Sequence, residues 1–171
     1  MNKQFLLRRS RSAFTLVEVI VSMTIMTALL SGVFTVSSRC SSVLKSVKEY
    51  SAANRTVRDR VEQIRRSSWT TTTSATALRD LVLNDIPAST SVIPSGVETL
   101  TISAYPPSSP AKTPIVIERR NGVAQVVSDN PLLYDEPTLL VTDRWQWNAT
   151  FGNRDCVREV ATVVTHRDYR R

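Results

Sequence analysis

Few side chains in this 171-residue chain combine the type and spacing that chemistry needs. The most conspicuous is Glu18, the single charge in the apolar run from Phe14 to Val36. A carboxylate at the centre of a bilayer costs about 2.5–3.5 kcal/mol on insertion scales, and less near the interface, so it calls for a cationic partner. His166 is the only histidine, which excludes a His-rich metal site. It lies in Thr165-His166-Arg167-Asp168, but successive strand residues point to opposite faces and do not converge as nucleophile, base and orienter. Asp129, Asn130, Asp135 and Glu136 crowd one loop with hard oxygen donors of the kind calcium takes. A polar turn around Pro131 and Pro137 accounts for them better, so no metal ligand is assigned. No catalytic residue and no cofactor is expected.

The element that must position Glu18 is long. Phe14 to Val36 is 23 residues, roughly 34 Å as a helix, which suffices for a ~30 Å hydrocarbon core. A basic leader precedes it, with Lys3, Arg8, Arg9 and Arg11 against Arg39, Lys45 and Lys48 on the far flank, a weak positive-inside bias. A secretory signal peptide would have a shorter apolar core followed by its small-residue site; here the apolar stretch is longer and the small residue comes first. The helix is expected to continue to Arg66, since no proline occurs between Phe14 and Arg66 and Gly32 is the only glycine there. Cys40, Val43, Val47, Tyr50, Asn54, Val57, Val61 and Ile64 recur at gaps of three and four and form one predicted stripe. Arg55/Asp59 and Glu62/Arg66 are i,i+4 opposite-charge pairs on the other faces. Packing of the stripe on a sheet of the same chain explains it better than a coiled coil, because Asn54 interrupts the heptads.

The segment Ala13-Phe14-Thr15-Leu16-Val17-Glu18, opening that helix, resembles the signature of type IV prepilins. The resemblance implies a bacterial filament subunit, a pilin or pseudopilin, held in the inner membrane with its amino terminus cytoplasmic and its head periplasmic. It implies cleavage between Ala13 and Phe14 by a prepilin peptidase and N-methylation of Phe14. It also implies that Glu18 meets the amino terminus of a neighbouring subunit during assembly, which gives the carboxylate its cation. Ala13 stands where the family usually has glycine, a replacement small enough to be accepted. Many family members carry a helix-breaking proline at the position of Thr35, and the proline-free helix here is more similar to minor pilins and pseudopilins. Pilins often staple a carboxyl-terminal loop with a disulfide whose two cysteines lie in the head. Here a Cys40–Cys156 bond is left possible, provided the 150s loop reaches the base of the head with Cα atoms within about 7 Å; two free thiols are the preferred reading.

The formal charge of +7 raises a nucleic-acid partner, which its distribution disfavours. The excess belongs to the leader and to residues 37–66; residues 67–171 hold ten basic and eleven acidic side chains. That head reads as β-rich. A Thr/Ser linker is expected over Thr70 to Thr76, then a short helix over 75–86. Val97 to Tyr105 alternates, with Leu100, Ile102 and Ala104 on one side, and a proline-rich loop follows from Pro106. Residues 114–128 flank Asn121-Gly122, a two-residue hairpin signal. Leu139, Val141, Trp145, Trp147 and Phe151 share parity on one strand, interrupted by Asp143 and Ala149, and Val160 to His166 supplies the last strand. Core packing is the expected role of the two tryptophans, with an exposed strip for a ligand as the alternative.

These readings combine into an α+β, pilin-like fold, with a long amino-terminal helix packed on an antiparallel sheet. The expected domains are a leader at 1–13, a transmembrane half-helix at 14–36, an amphipathic half-helix at 37–66 and a head at 67–171. The expected function is that of a non-enzymatic minor pilin or pseudopilin of a type IV pilus or type II secretion pseudopilus. Its expected partners are the prepilin peptidase, other pilin or pseudopilin subunits, the inner membrane and the filament assembly machinery. The alternative is a single-pass membrane-anchored binding or sensory protein that enters no filament.

Overall fold

The computed structural model describes residues 15–93, 95–107, 112–150 and 154–166. The chain divides into two compact units, Met1–Ser42 and Val43–Arg171. One helix, α1 (Leu16–Arg66), runs through both without a break. Its first half is the only described helix apolar and long enough to cross a membrane, with a mean hydropathy of 2.1 and none of that window buried by the rest of the chain. Hydroxyls in this stretch bond back along the helix. Thr24, Thr27, Ser31 and Thr35 each donate to the carbonyl four residues earlier at 2.8 Å, which satisfies these four hydroxyl donors within the helix.

In the second unit, α1 is followed by α2 (Trp69–Thr72), α3 (Ala75–Asn84) and five strands. The Thr/Ser run expected to be a linker is instead a single helical turn. Ser68 caps it by accepting from the Thr71 N–H, and Thr72 and Thr73 are buried. Ser74 repeats the device at the start of α3, accepting from the Ala77 N–H. The strands are β1 (Val97–Ala104), β2 (Ile115–Arg120), β3 (Val123–Ser128), β4 (Thr138–Asn148) and β5 (Asp155–Thr165). They form one antiparallel sheet in the order β3-β2-β1-β4-β5. The β2–β3 turn takes the predicted two-residue form, with positive φ at Asn121 (51°) and Gly122 (79°). β5 begins five residues earlier than predicted, because its pairing with β4 extends to Asn148↔Asp155.

One face of the sheet is covered, by α1 and α3, as alternation in an antiparallel sheet requires. Leu100, Ile102, Ile115, Ile117, Leu139 and Val141 pack with Ile64, Leu78 and Val82. Trp145 and Trp147 pack with Ala52, Ala53 and Val57 of α1, so both tryptophans are core residues, as expected. The predicted stripe on α1 holds from Val57 through Val61 to Ile64 but fails before it. Val43 and Val47 are exposed, and the buried face there is Glu49, Ala52, Ala53 and Thr56. Gaps averaging 3.5 residues drift around a helix of 3.6 residues per turn, and Ala52 and Ala53 are the small side chains that admit the indoles. On the exposed faces Arg55 pairs with Asp59 as predicted, at 3.7 Å, whereas Glu62 takes Arg65 rather than Arg66.

Candidate functional site

Two sets of residues draw attention, one in each unit. The first is the start of α1. Ala13 and Phe14 lie outside the described residues. Thr15 caps the helix: its hydroxyl accepts the Glu18 N–H at 3.3 Å and its carbonyl accepts the Val19 N–H at 3.2 Å. Thr15-Leu16-Val17-Glu18 has the Thr-x-x-Glu spacing of a capping box, which places an acidic side chain in the first turn where the helix dipole favours it. That spacing is legible in the sequence. Glu18 is exposed, and no ion pair is formed by it within the described chain.

The second set was not anticipated. Beneath the sheet, Arg60, Glu98, Arg119 and Asp143 are all buried. Strand register assembles them: Glu98 on β1 stands opposite Arg119 on β2 and opposite Trp145 on β4, while Leu100, one step along the same face, stands opposite Asp143. Arg60 arrives from α1. Its Nε donates to Glu98 Oε1 at 2.5 Å and its Nη2 to Oε2 at 3.3 Å, while Arg119 Nε donates to Oε2 at 2.8 Å. Arg60 Nη1 also donates to Gln63 Oε1 at 2.9 Å and to the carbonyl of Asp85, which caps the end of α3, at 2.7 Å, with longer contacts to the Leu81 and Val82 carbonyls, so one guanidinium ties α1 to both α3 and the sheet. Both carboxylate oxygens of Asp143 lack a hydrogen-bond partner among the described residues. Burial, followed by the nearby charge of Glu98, holds its carboxyl well above the usual carboxylate range, against the opposing pull of Arg60 and Arg119. Two cations thus share one carboxylate, beside a second buried carboxyl group whose pKa is raised.

The sheet edge carries a third feature. Glu49 is buried and accepts the Thr150 N–H, and Tyr50 packs edge-on against Trp147 at 5.3 Å between ring centroids. Cys40 and Cys156 are free thiols, and the Cys156 Sγ lies 3.2 Å from the Tyr50 hydroxyl. That hydrogen bond, with the charge of Cys156 and some burial, raises the phenol pKa. Two of the four residues with calcium-like composition are engaged in local bonds. Asn130 accepts the Leu132 N–H and donates to the Thr113 carbonyl, and Glu136 pairs with Lys112. No grouping of three or more His, Cys, Asp or Glu suited to a metal occurs among the described residues. His166 stacks on Trp69 at 4.7 Å.

Against known families, residues 8–34 match the prokaryotic N-terminal methylation motif. No characterised protein and no solved structure matches the chain.

Proposed function

We propose that this chain, a type IV prepilin-like protein by its amino-terminal motif, is a structural subunit of a bacterial filament, either a minor pilin of a type IV pilus or a pseudopilin of a type II secretion system. The observation that carries the proposal is Ala13-Phe14-Thr15-Leu16-Val17-Glu18 at the head of an unbroken apolar helix. Residues 1–13 serve as a leader that the prepilin peptidase removes before methylating Phe14. Residues 14–36 hold the subunit in the inner membrane, residues 37–66 continue the helix, and residues 67–171 form the periplasmic head. The protein is not an enzyme; its chemistry is that of a substrate for the peptidase and of a packing unit for its neighbours.

The apolar half of α1 supports assembly on physical grounds. From Leu16 to Val36 every residue is exposed in the isolated chain. Such a surface is stable in lipid or against other apolar helices, and not in water. Glu18 sets the register between those helices: a carboxylate in that setting is stabilised when the new amino terminus of an adjacent subunit supplies the cation. In the native host, Glu18→Val is expected to leave membrane insertion and removal of residues 1–13 intact while abolishing incorporation into sheared filaments. Wild-type incorporation by this variant would refute the proposed role of the carboxylate.

A further inference from the structure

A pocket of about 230 Å³ opens beside the buried charges, where β1 begins and the β2–β3 turn lies. Ile86, Ile93, Gly96, Arg119, Gly122 and Trp145 contribute to its wall, and no acidic side chain lines it. The hydroxyls at its rim are already engaged, Thr90 with the Pro87 carbonyl and Ser91 with the Ala88 carbonyl. Two N–H donors are not. Arg119 Nη2 and Trp145 Nε1 are both buried and have no acceptor among the described residues. They belong to side chains in direct contact, since the Arg119 guanidinium lies over the Trp145 ring at 5.3 Å from its centroid. Gly96 makes room for this arrangement: a Cβ there would overlap the indole at its Nε1 edge.

We propose that this pocket is a carboxylate-binding site, in which Arg119 Nη2 and Trp145 Nε1 each donate to one oxygen of the ligand. A buried N–H without an acceptor is destabilising, and two of them on adjoining side chains make a donor pair that a planar two-oxygen acceptor satisfies together. The local charge favours an anion. Glu98 is shared between Arg60 and Arg119, two cations on one carboxylate, and burial raises the pKa of the neighbouring Asp143. The glycines and isoleucines of the wall admit a short apolar stem behind the carboxylate. The same chemistry can come from a small free acid or from an Asp or Glu side chain of another protein.

The test is a titration of ¹⁵N-labelled full-length protein in nonionic micelles, following the three tryptophan Nε1–H resonances, with Trp145 assigned by Trp145→Phe. Sodium acetate is added against matched sodium chloride, and a terminally blocked Ala-Glu-Ala peptide and inorganic phosphate are run in parallel. A saturable downfield shift confined to Trp145 is expected with acetate or with the peptide. Saturation by acetate as tight as by the peptide supports a free small acid as the source, and tighter saturation by the peptide supports a side chain of another protein. Arg119→Lys, which loses the planar guanidinium, is expected to weaken the response about tenfold or more while Trp147 keeps its resonance. Absence of saturation in the wild-type protein by either carboxylate overturns the proposal, as does saturation by phosphate alone.

Discussion

Glu98→Gln tests the buried charge cluster most sharply. Glu98 is fully buried, as is the side chain of Arg60, and that of Arg119 is 8% exposed. The carboxylate accepts three charge-assisted hydrogen bonds from the two guanidinium groups. Glutamine keeps the shape, but its amide carries no charge and turns an N–H toward one of the cations. Breaking a buried ion pair by removing one partner costs about 3–5 kcal/mol, because the other charge is left uncompensated. For a protein of this size that corresponds to a fall in Tm of roughly 6–20 °C. Asp143 limits the loss. With the Glu98 charge removed, one of the two influences that raise the Asp143 pKa disappears, and its carboxylate becomes more available to the arginines. Glu98→Gln combined with Asp143→Asn is therefore expected to be more destabilising than the sum of the single changes. Thermal unfolding of the full-length protein in nonionic detergent, followed by near-UV circular dichroism from Trp145 and Trp147, reads both effects. A Glu98→Gln midpoint within about 2 °C of wild type, or strict additivity of the pair, would refute the reasoning.

The same cluster predicts a pH dependence. Burial and the charge of Glu98 raise the Asp143 pKa above its unfolded value near 4, so the contribution of this group to stability is fully present below about pH 4 and declines as pH rises toward its native pKa. The stability of wild type relative to Asp143→Asn should fall as pH rises above about 4 in chemical unfolding, and a difference that does not change with pH would contradict the raised pKa. At the β2–β3 turn, Gly122 has φ of 79°, where a β-branched side chain is strained. Gly122→Val should cost about 1–2 kcal/mol by the same unfolding assay, although nothing lies within 4 Å of the added Cβ; a neutral result would contradict the turn geometry.

Much of this molecule was legible from pattern alone, for identifiable reasons. The apolar run, the absence of proline and the Glu18 charge define α1, and Asn121-Gly122 defines a hairpin because few other pairs adopt two consecutive positive φ values. The inward parity of β4 predicted the packing of Trp145 and Trp147. What escaped was the meaning of charged residues on that same parity. Glu98 alternates with Leu100 and Ile102, Arg119 with Ile115 and Ile117, and Asp143 with Val141 and Trp145. Each reads singly as an interruption, and only the register that places Glu98 opposite Arg119 shows that they answer one another. Arg60 was hidden in the same way, sharing the helix face of Val57 and Ile64. The Thr/Ser run misled because its composition matches a linker, whereas Ser68 and Ser74 act as caps for α2 and α3. The capping residue Thr15 and Glu18 were in view throughout, but attention to the carboxylate as an assembly charge obscured its second use at a helix start.

In the proposed filament subunit, two tasks fall on different parts of the chain. The head is held to α1 by Arg60 and by the indoles on Ala52, Ala53 and Val57. The first half of the helix is left with an apolar surface and one carboxylate. That division of labour depends on the new amino terminus at Phe14, without which Glu18 lacks its proposed partner. Intact mass and amino-terminal sequencing of the protein recovered from native membranes test this most directly. A chain beginning at N-methylated Phe14 is the predicted result. A chain that retains residues 1–13 in cells with an active prepilin peptidase would contradict the account.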